Sequence, residues 1–108
     1  MMLADGIYSV HFETPVGQGD GIVVVTGKKI QGGDASFAYF GVLEQTDNGF
    51  SIQIETKRHS EGRASVFNME SVHINLIGKS EGRNAICTGT AEEVPGLIFK
   101  AVLKFIHE

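Results

Sequence analysis

The sequence predicts an all-β domain, an eight-stranded antiparallel up-and-down β-barrel, and three observations predict it. Short runs of alternating apolar and polar residues recur every ten to fifteen residues between turn signals. No stretch carries the apolar periodicity of an amphipathic helix. The densest glycine segment, GQGDGIVVVTGKKIQGGD at 17–34, opens into the β-branched run Ile22-Val23-Val24-Val25 and not into a helix. Its Gly17, Gly19 and Gly21 alternate, so on a strand they share one face. The segment also lacks the glycine and lysine spacing of a phosphate-binding loop. Successive hairpins favour a meander, and eight strands close around an interior just wide enough for side chains.

The first strand is 6–14 (GIYSVHFET), with Tyr8, Val10 and Phe12 on one face and Ser9, His11 and Glu13 on the other. Pro15-Val16-Gly17 supplies the turn into the second strand, 18–26, which ends at the tight hairpin Gly27-Lys28-Lys29. A short third strand, 29–31, runs to the corner Gly32-Gly33-Asp34, where the Asp34 carboxylate is expected to bond backbone amides. The fourth, 35–43 (ASFAYFGVL), is apolar on both faces: Phe37 and Tyr39 on one, Ala38, Phe40 and Val42 on the other. Asp47-Asn48-Gly49 is a hairpin signal, because Asn-Gly tolerates positive φ. The fifth, 50–57, alternates most cleanly, with Phe50, Ile52, Ile54 and Thr56 facing one way. The segment 65–70 (SVFNME) reads as an irregular crossing or a single helical turn. The sixth strand, 71–79, turns inward Val72, Ile74 and Leu76; Ser80-Glu81-Gly82-Arg83 turns the chain. The seventh, 84–94, is followed by a turn at Pro95-Gly96, and the eighth spans 97–107. The expected interior is Tyr8, Val10, Phe12, Phe50, Ile52, Ile54, Phe99 and Phe105.

The 108 residues make one domain, 1–108, with a single modest core. A net charge of −4 argues against binding to nucleic acid or to an anionic membrane. A lone cysteine, Cys87, permits no internal disulfide, and the N-terminus lacks the basic and apolar regions of a signal peptide. The expected location is cytoplasmic.

No pattern points to catalysis. The histidines His11, His59, His73 and His107 have no ligand spacing among themselves, so neither a metal nor another cofactor is expected. They read as outward strand or loop positions. No G-x-S-x-G elbow is present. Glu92 and Glu93 are adjacent, so on a strand they face opposite sides and form no acid–base pair. Cys87 has no basic neighbour and reads as a small core or half-buried residue.

Apolar surface is in surplus. The last strand sets Leu97, Phe99, Ala101, Leu103 and Phe105 against Ile98, Val102 and Ile106, with lysines between. One interior cannot take both faces of the fourth strand either. Phe37, Tyr39, Ile98, Val102 and Ile106 are therefore the expected dimer or partner face, and a homodimer is the commonest such assembly. The inward aromatic set also admits a small apolar ligand held in the barrel.

Five stretches taken in order, DGIYSV at 5–10, GDGI at 19–22, IQGGD at 30–34, YFGVL at 39–43 and SVFNME at 65–70, resemble the GrlR-like family, negative regulators of type III secretion gene expression. The resemblance covers most of the chain and weakens after about residue 85. It implies a calycin-like barrel, a homodimer and a role without catalysis. It further implies a protein partner, a helix-turn-helix transcriptional activator held in check. In that family four consecutive acidic residues in the loop after the fourth strand matter for partner binding. The corresponding positions are Gln45, Thr46, Asp47 and Asn48, preceded by Glu44, and only Asp47 keeps a carboxylate among the four.

Overall fold

In a computed structural model of the chain, residues 3–46, 49–60 and 71–108 are described. They form eight antiparallel strands: β1 (Gly6–Thr14), β2 (Gly17–Thr26), β3 (Lys29–Gly33), β4 (Phe37–Thr46), β5 (Gly49–Arg58), β6 (Ser71–Glu81), β7 (Asn84–Ala91) and β8 (Val94–His107). Each strand pairs with the next, and β1 pairs with β8 as well as with β2, so the sheet closes on itself. This is an all-β, calycin-like up-and-down barrel. No helix among the described residues is long and apolar enough to cross a membrane. Asn48 and the segment 65–70 lie outside the described residues.

The turns follow from local chemistry. Gly27 and Gly82 open two-residue hairpins with φ of 61° and 65°, a region L-residues with side chains rarely enter. At the corner before β4, Asp34 Oδ1 accepts the amide N–H groups of Ser36 and Phe37, both at 2.8 Å, as its sequence context predicts. The eighth strand differs from expectation. Glu92-Glu93 is the turn, and Pro95-Gly96 lies within β8, in the register shift opposite Thr90 and Ala91. Proline has no N–H to give to a ladder, and a bulge is where a strand tolerates it.

Alternation puts Tyr8, Val25, Leu43, Val72 and Cys87 fully inside. Of the expected interior, Val10, Phe50, Ile52 and Phe99 are buried with Tyr8, while Phe12, Ile54 and Phe105 pack against this core. The fourth strand corrects the expectation for its faces. Phe37 and Tyr39 point inward and are buried, so they belong to no outer partner face; Phe40 and Val42 are the exposed pair. Two contacts decide the parity. Leu43 is completely enclosed, and a Cβ at Gly41 would lie 2.2 Å from the Gln53 carbonyl oxygen, so only glycine allows β4 to approach β5 there.

Candidate functional site

The interior is not filled. A cavity of about 180 Å³ runs along the barrel axis, walled by residues such as Val10, Val23, Ile52, Ile74, Leu76 and Phe99. Gly19 and Gly21 face inward on β2, and a Cβ at either would meet the Phe12 ring or the Tyr39 hydroxyl at 2.8 Å. The aromatic rings lean over the glycines, as they do where rings cover bare backbone in curved sheets. Phe12 then stacks on Phe99 with centroids 5.9 Å apart and meets Tyr39 edge-on at 6.0 Å.

One end of the barrel is shut. Leu3 is buried there, its amide donating to Gln45 Oε1 at 2.6 Å while Gln45 Nε2 donates back to the Leu3 carbonyl at 2.9 Å. Tyr8 donates its hydroxyl to the Ala4 carbonyl and packs edge-on against Phe105 at 5.4 Å. The Gly27 amide is held by Asp5 Oδ1. This arrangement alters the reading of the loop after β4. Gln45 ties down the N-terminal segment, Thr46 donates to the Gly49 carbonyl, and Glu44 alone of the described loop residues offers an exposed carboxylate. Asp47 and Asn48 lie outside the described residues.

The other end is the mouth, where residues 18–20 and 34–36 line the cavity. The corner 34–36 is clamped from β5 and beyond: His59 donates its amide to the Ser36 carbonyl, Ser60 its hydroxyl to the Ala35 carbonyl, and His59 Nε2 lies 2.9 Å from the Asp34 carbonyl. Asp34 Oδ2 accepts the hydroxyl of Tyr39. Burial raises the Tyr39 pKa far above the ordinary phenol value, reinforced by that bond and by the charges of Asp34 and Asp20, so the phenol stays protonated. The Arg58 guanidinium lies 4.7 Å from the Phe37 ring centroid and donates to the Ser60 carbonyl.

A second polar group sits on the outer wall. His73 Nδ1 is 2.6 Å from Glu93 Oε2, and the His73 amide donates to Glu93 Oε1 at 2.8 Å. Its Nε2 lies 3.6 Å from Glu55 Oε2, and Asn75 donates to Glu92 Oε2 at 3.2 Å. The hydrogen bond to Glu93 raises the His73 pKa, and the same bond lowers that of Glu93. Glu92 and Glu93 thus do not face opposite sides. They occupy a turn, where strand alternation does not apply, and both reach the outer face of β6. His73 is outward, as expected, but it has partners the sequence does not place beside it. His11 likewise lies 2.8 Å from Asp20 across the β1–β2 pair. Among the described residues no three His, Cys, Asp or Glu side chains are placed to hold a metal ion. Cys87 is buried, and burial pushes its thiol up to about 12.

The outer wall also carries the surplus apolar side chains. Ile98 (52% exposed) and Ile106 (54%) face solvent as the alternation of the last strand requires, and Val102 between them is half-buried. Sequence reasoning did not single out Ile77, at 69% the most exposed large apolar residue among those described, nor Ile86, the cross-strand partner of Val102. Ile77 and Ile98 line one shallow groove across β7 with Thr88 and Thr90.

The described residues thus enclose a small apolar chamber and carry exposed isoleucines on the outer wall. No family model and no curated protein matches the chain.

Proposed function

We propose that this chain is a non-enzymatic regulatory module of the GrlR-like kind, one that holds a protein partner against its outer wall and so keeps a transcriptional activator from acting. The observation that carries this reading is the set of exposed isoleucines Ile77, Ile86 and Ile98 on consecutive strands β6, β7 and β8, with half-buried Val102 paired to Ile86. Isolated apolar residues on a surface are ordinary, but Ile77 and Ile98 flank one groove and Ile86 lies on the strand between theirs, which is the form of an interaction site. Of the loop 44–48, Gln45 is engaged within the chain and is not free for a partner. A homodimer using the same wall, in the cytoplasm, belongs to this reading, as does negative regulation of type III secretion genes. The test is a pull-down from the source cell with the wild-type chain and with an Ile77→Asp/Ile98→Asp variant. One stoichiometric protein, held by the wild type and lost by the variant, is expected. Recovery of none across growth conditions would sink the proposal.

A second reading rests on the cavity: the barrel carries a small apolar ligand. A chamber of about 180 Å³ with apolar walls and one polar mouth has the form of a small-molecule site. Native mass spectrometry of the purified chain and a thermal-shift screen with apolar probes decide it. A dry, unresponsive barrel in both experiments would refute it.

A further inference from the structure

We propose that the barrel cavity takes a compact hydrophobic amine, its apolar body among Val23, Ile52, Ile74 and Phe99 and its ammonium at the Asp34–Tyr39 corner of the mouth. The inference rests on the reading of the cavity as a ligand site and adds the class of ligand.

Size sets the body. A closed apolar cavity of roughly 150 Å³ is enough to bind benzene. The chamber here, about 180 Å³, holds one ring with a short tail and is too small for a long acyl chain. Its walls present almost no polar atoms until the mouth, so the ligand's polar group has one place to go.

The mouth sets the charge. Asp34 Oδ1 is occupied by the Ser36 and Phe37 amides, and Oδ2 receives the Tyr39 hydroxyl. The only hydrogen of that hydroxyl is therefore turned toward Asp34, and burial keeps it in place. What the corner shows a ligand is oxygen lone pairs, on Tyr39 Oη and Asp34 Oδ2, backed by a full negative charge. Among the described residues no cationic side chain pairs with the Asp34 carboxylate. Arg58 is spread over Phe37 and bonded to Ser60, and His59 sits on the Asp34 carbonyl. A donor with positive charge is attracted to this corner and makes charge-assisted hydrogen bonds. A carboxylate headgroup meets repulsion from the Asp34 charge at this corner. The arrangement thus selects against fatty-acid-like ligands.

Three probes with one phenylalkyl body test it by calorimetric titration of the full chain: phenethylamine, propylbenzene and hydrocinnamate. The amine is expected to bind about tenfold to a hundredfold more tightly than the hydrocarbon, the worth of a hydrogen bond to a charged group, and the carboxylate weakest of all. In Asp34→Asn the amine should lose that advantage while propylbenzene binding is unchanged. Ala101→Leu, which fills the chamber from β8, should abolish binding of all three. Equal or tighter binding of hydrocinnamate would overturn the amine assignment and leave the cavity reading standing. Silence from all three probes would remove the ligand site itself. Unaltered binding to the Ala101→Leu variant would place the ligand elsewhere and overturn the proposal.

Discussion

Asp34 is the side chain on which the mouth depends, and Asp34→Ala measures that dependence. The carboxylate accepts three hydrogen bonds, from the amides of Ser36 and Phe37 at 2.8 Å each and from the Tyr39 hydroxyl. Bonds to a charged acceptor are worth about 1.5–3 kcal/mol when both partners are dry, and a backbone cap about 1 kcal/mol. Asp34 is half-buried, so water replaces part of what the amides lose, while the Tyr39 hydroxyl, on a buried residue, is compensated less well. The net cost is about 3 kcal/mol. For a domain of this size that lowers the melting temperature by about 10–20 °C. In urea, with a slope of about 1–3 kcal/mol/M, the midpoint falls by at least about 1 M at unchanged slope. Asp34→Asn keeps an oxygen for the two amides and should lose less than half as much. An Ala variant within about 0.5 kcal/mol of wild type would refute the argument. An Asn variant as damaged as the Ala variant would show that charge, and not capping, holds the corner.

Three further outcomes are expected. Gly89→Ala places a Cβ 1.8 Å from the Asn75 carbonyl oxygen, which is backbone and cannot swing away, so β6 and β7 must separate; the variant should fail to accumulate as folded protein, and a wild-type melting curve would contradict this. Cys87, with its thiol raised to about 12 by burial, should react with a thiol reagent only as fast as the barrel opens, and labelling that is fast and independent of denaturant would exclude the buried placement. The His73–Glu93 latch should be pH-sensitive on both sides. His73 is raised above its ordinary 6.5, so its contribution is full below that pH and fades as pH climbs through the raised value; Glu93 is lowered below its ordinary 4.5, so its contribution is full above that pH and fades as pH falls through the lowered value. The latch is therefore strongest between about pH 4.5 and 6.5, and melting curves of wild type and His73→Gln should diverge most in that window. Parallel curves would mean that the pair contributes nothing, as exposed pairs often do.

Where one face of a strand is apolar and the other polar, local pattern was enough to orient it. The first strand reads Tyr8, Val10, Phe12 against Ser9, His11, Glu13, the fifth reads just as cleanly, and the structure orients both as read. Burying one set and wetting the other leaves a single low-energy choice. The fourth strand offers no such contrast. Phe37 and Tyr39 compete with Phe40 and Val42 for the interior on equal local terms, and the decision falls to distant groups: the Gln53 carbonyl beside Gly41 and the Asp34 carboxylate that receives Tyr39. The turn after β7 failed for a related reason. Pro95-Gly96 has the composition of a turn, yet pairing of Ala91 with Val94 sets the reversal at Glu92-Glu93.

The candidate site divides along the same line. Length, charge, the turn residues and the alternation of eight short runs were sufficient for an all-β meander, because each is a local property of the chain. The glycines of 17–34 could be assigned to strands from their spacing, but not to the seating of the Phe12 and Tyr39 side chains over them. Whether an inward glycine is filled by a neighbour depends on where the Phe12 and Tyr39 rings come to rest, and that is a matter of packing across strands. The use of Gln45 to fasten Leu3, forty-two positions away, is likewise invisible until the barrel closes. So are the His73–Glu93 pairing and the alignment of Ile77, Ile86 and Ile98 on one wall. Closure brings these groups together because register, not sequence distance, sets which side chains meet.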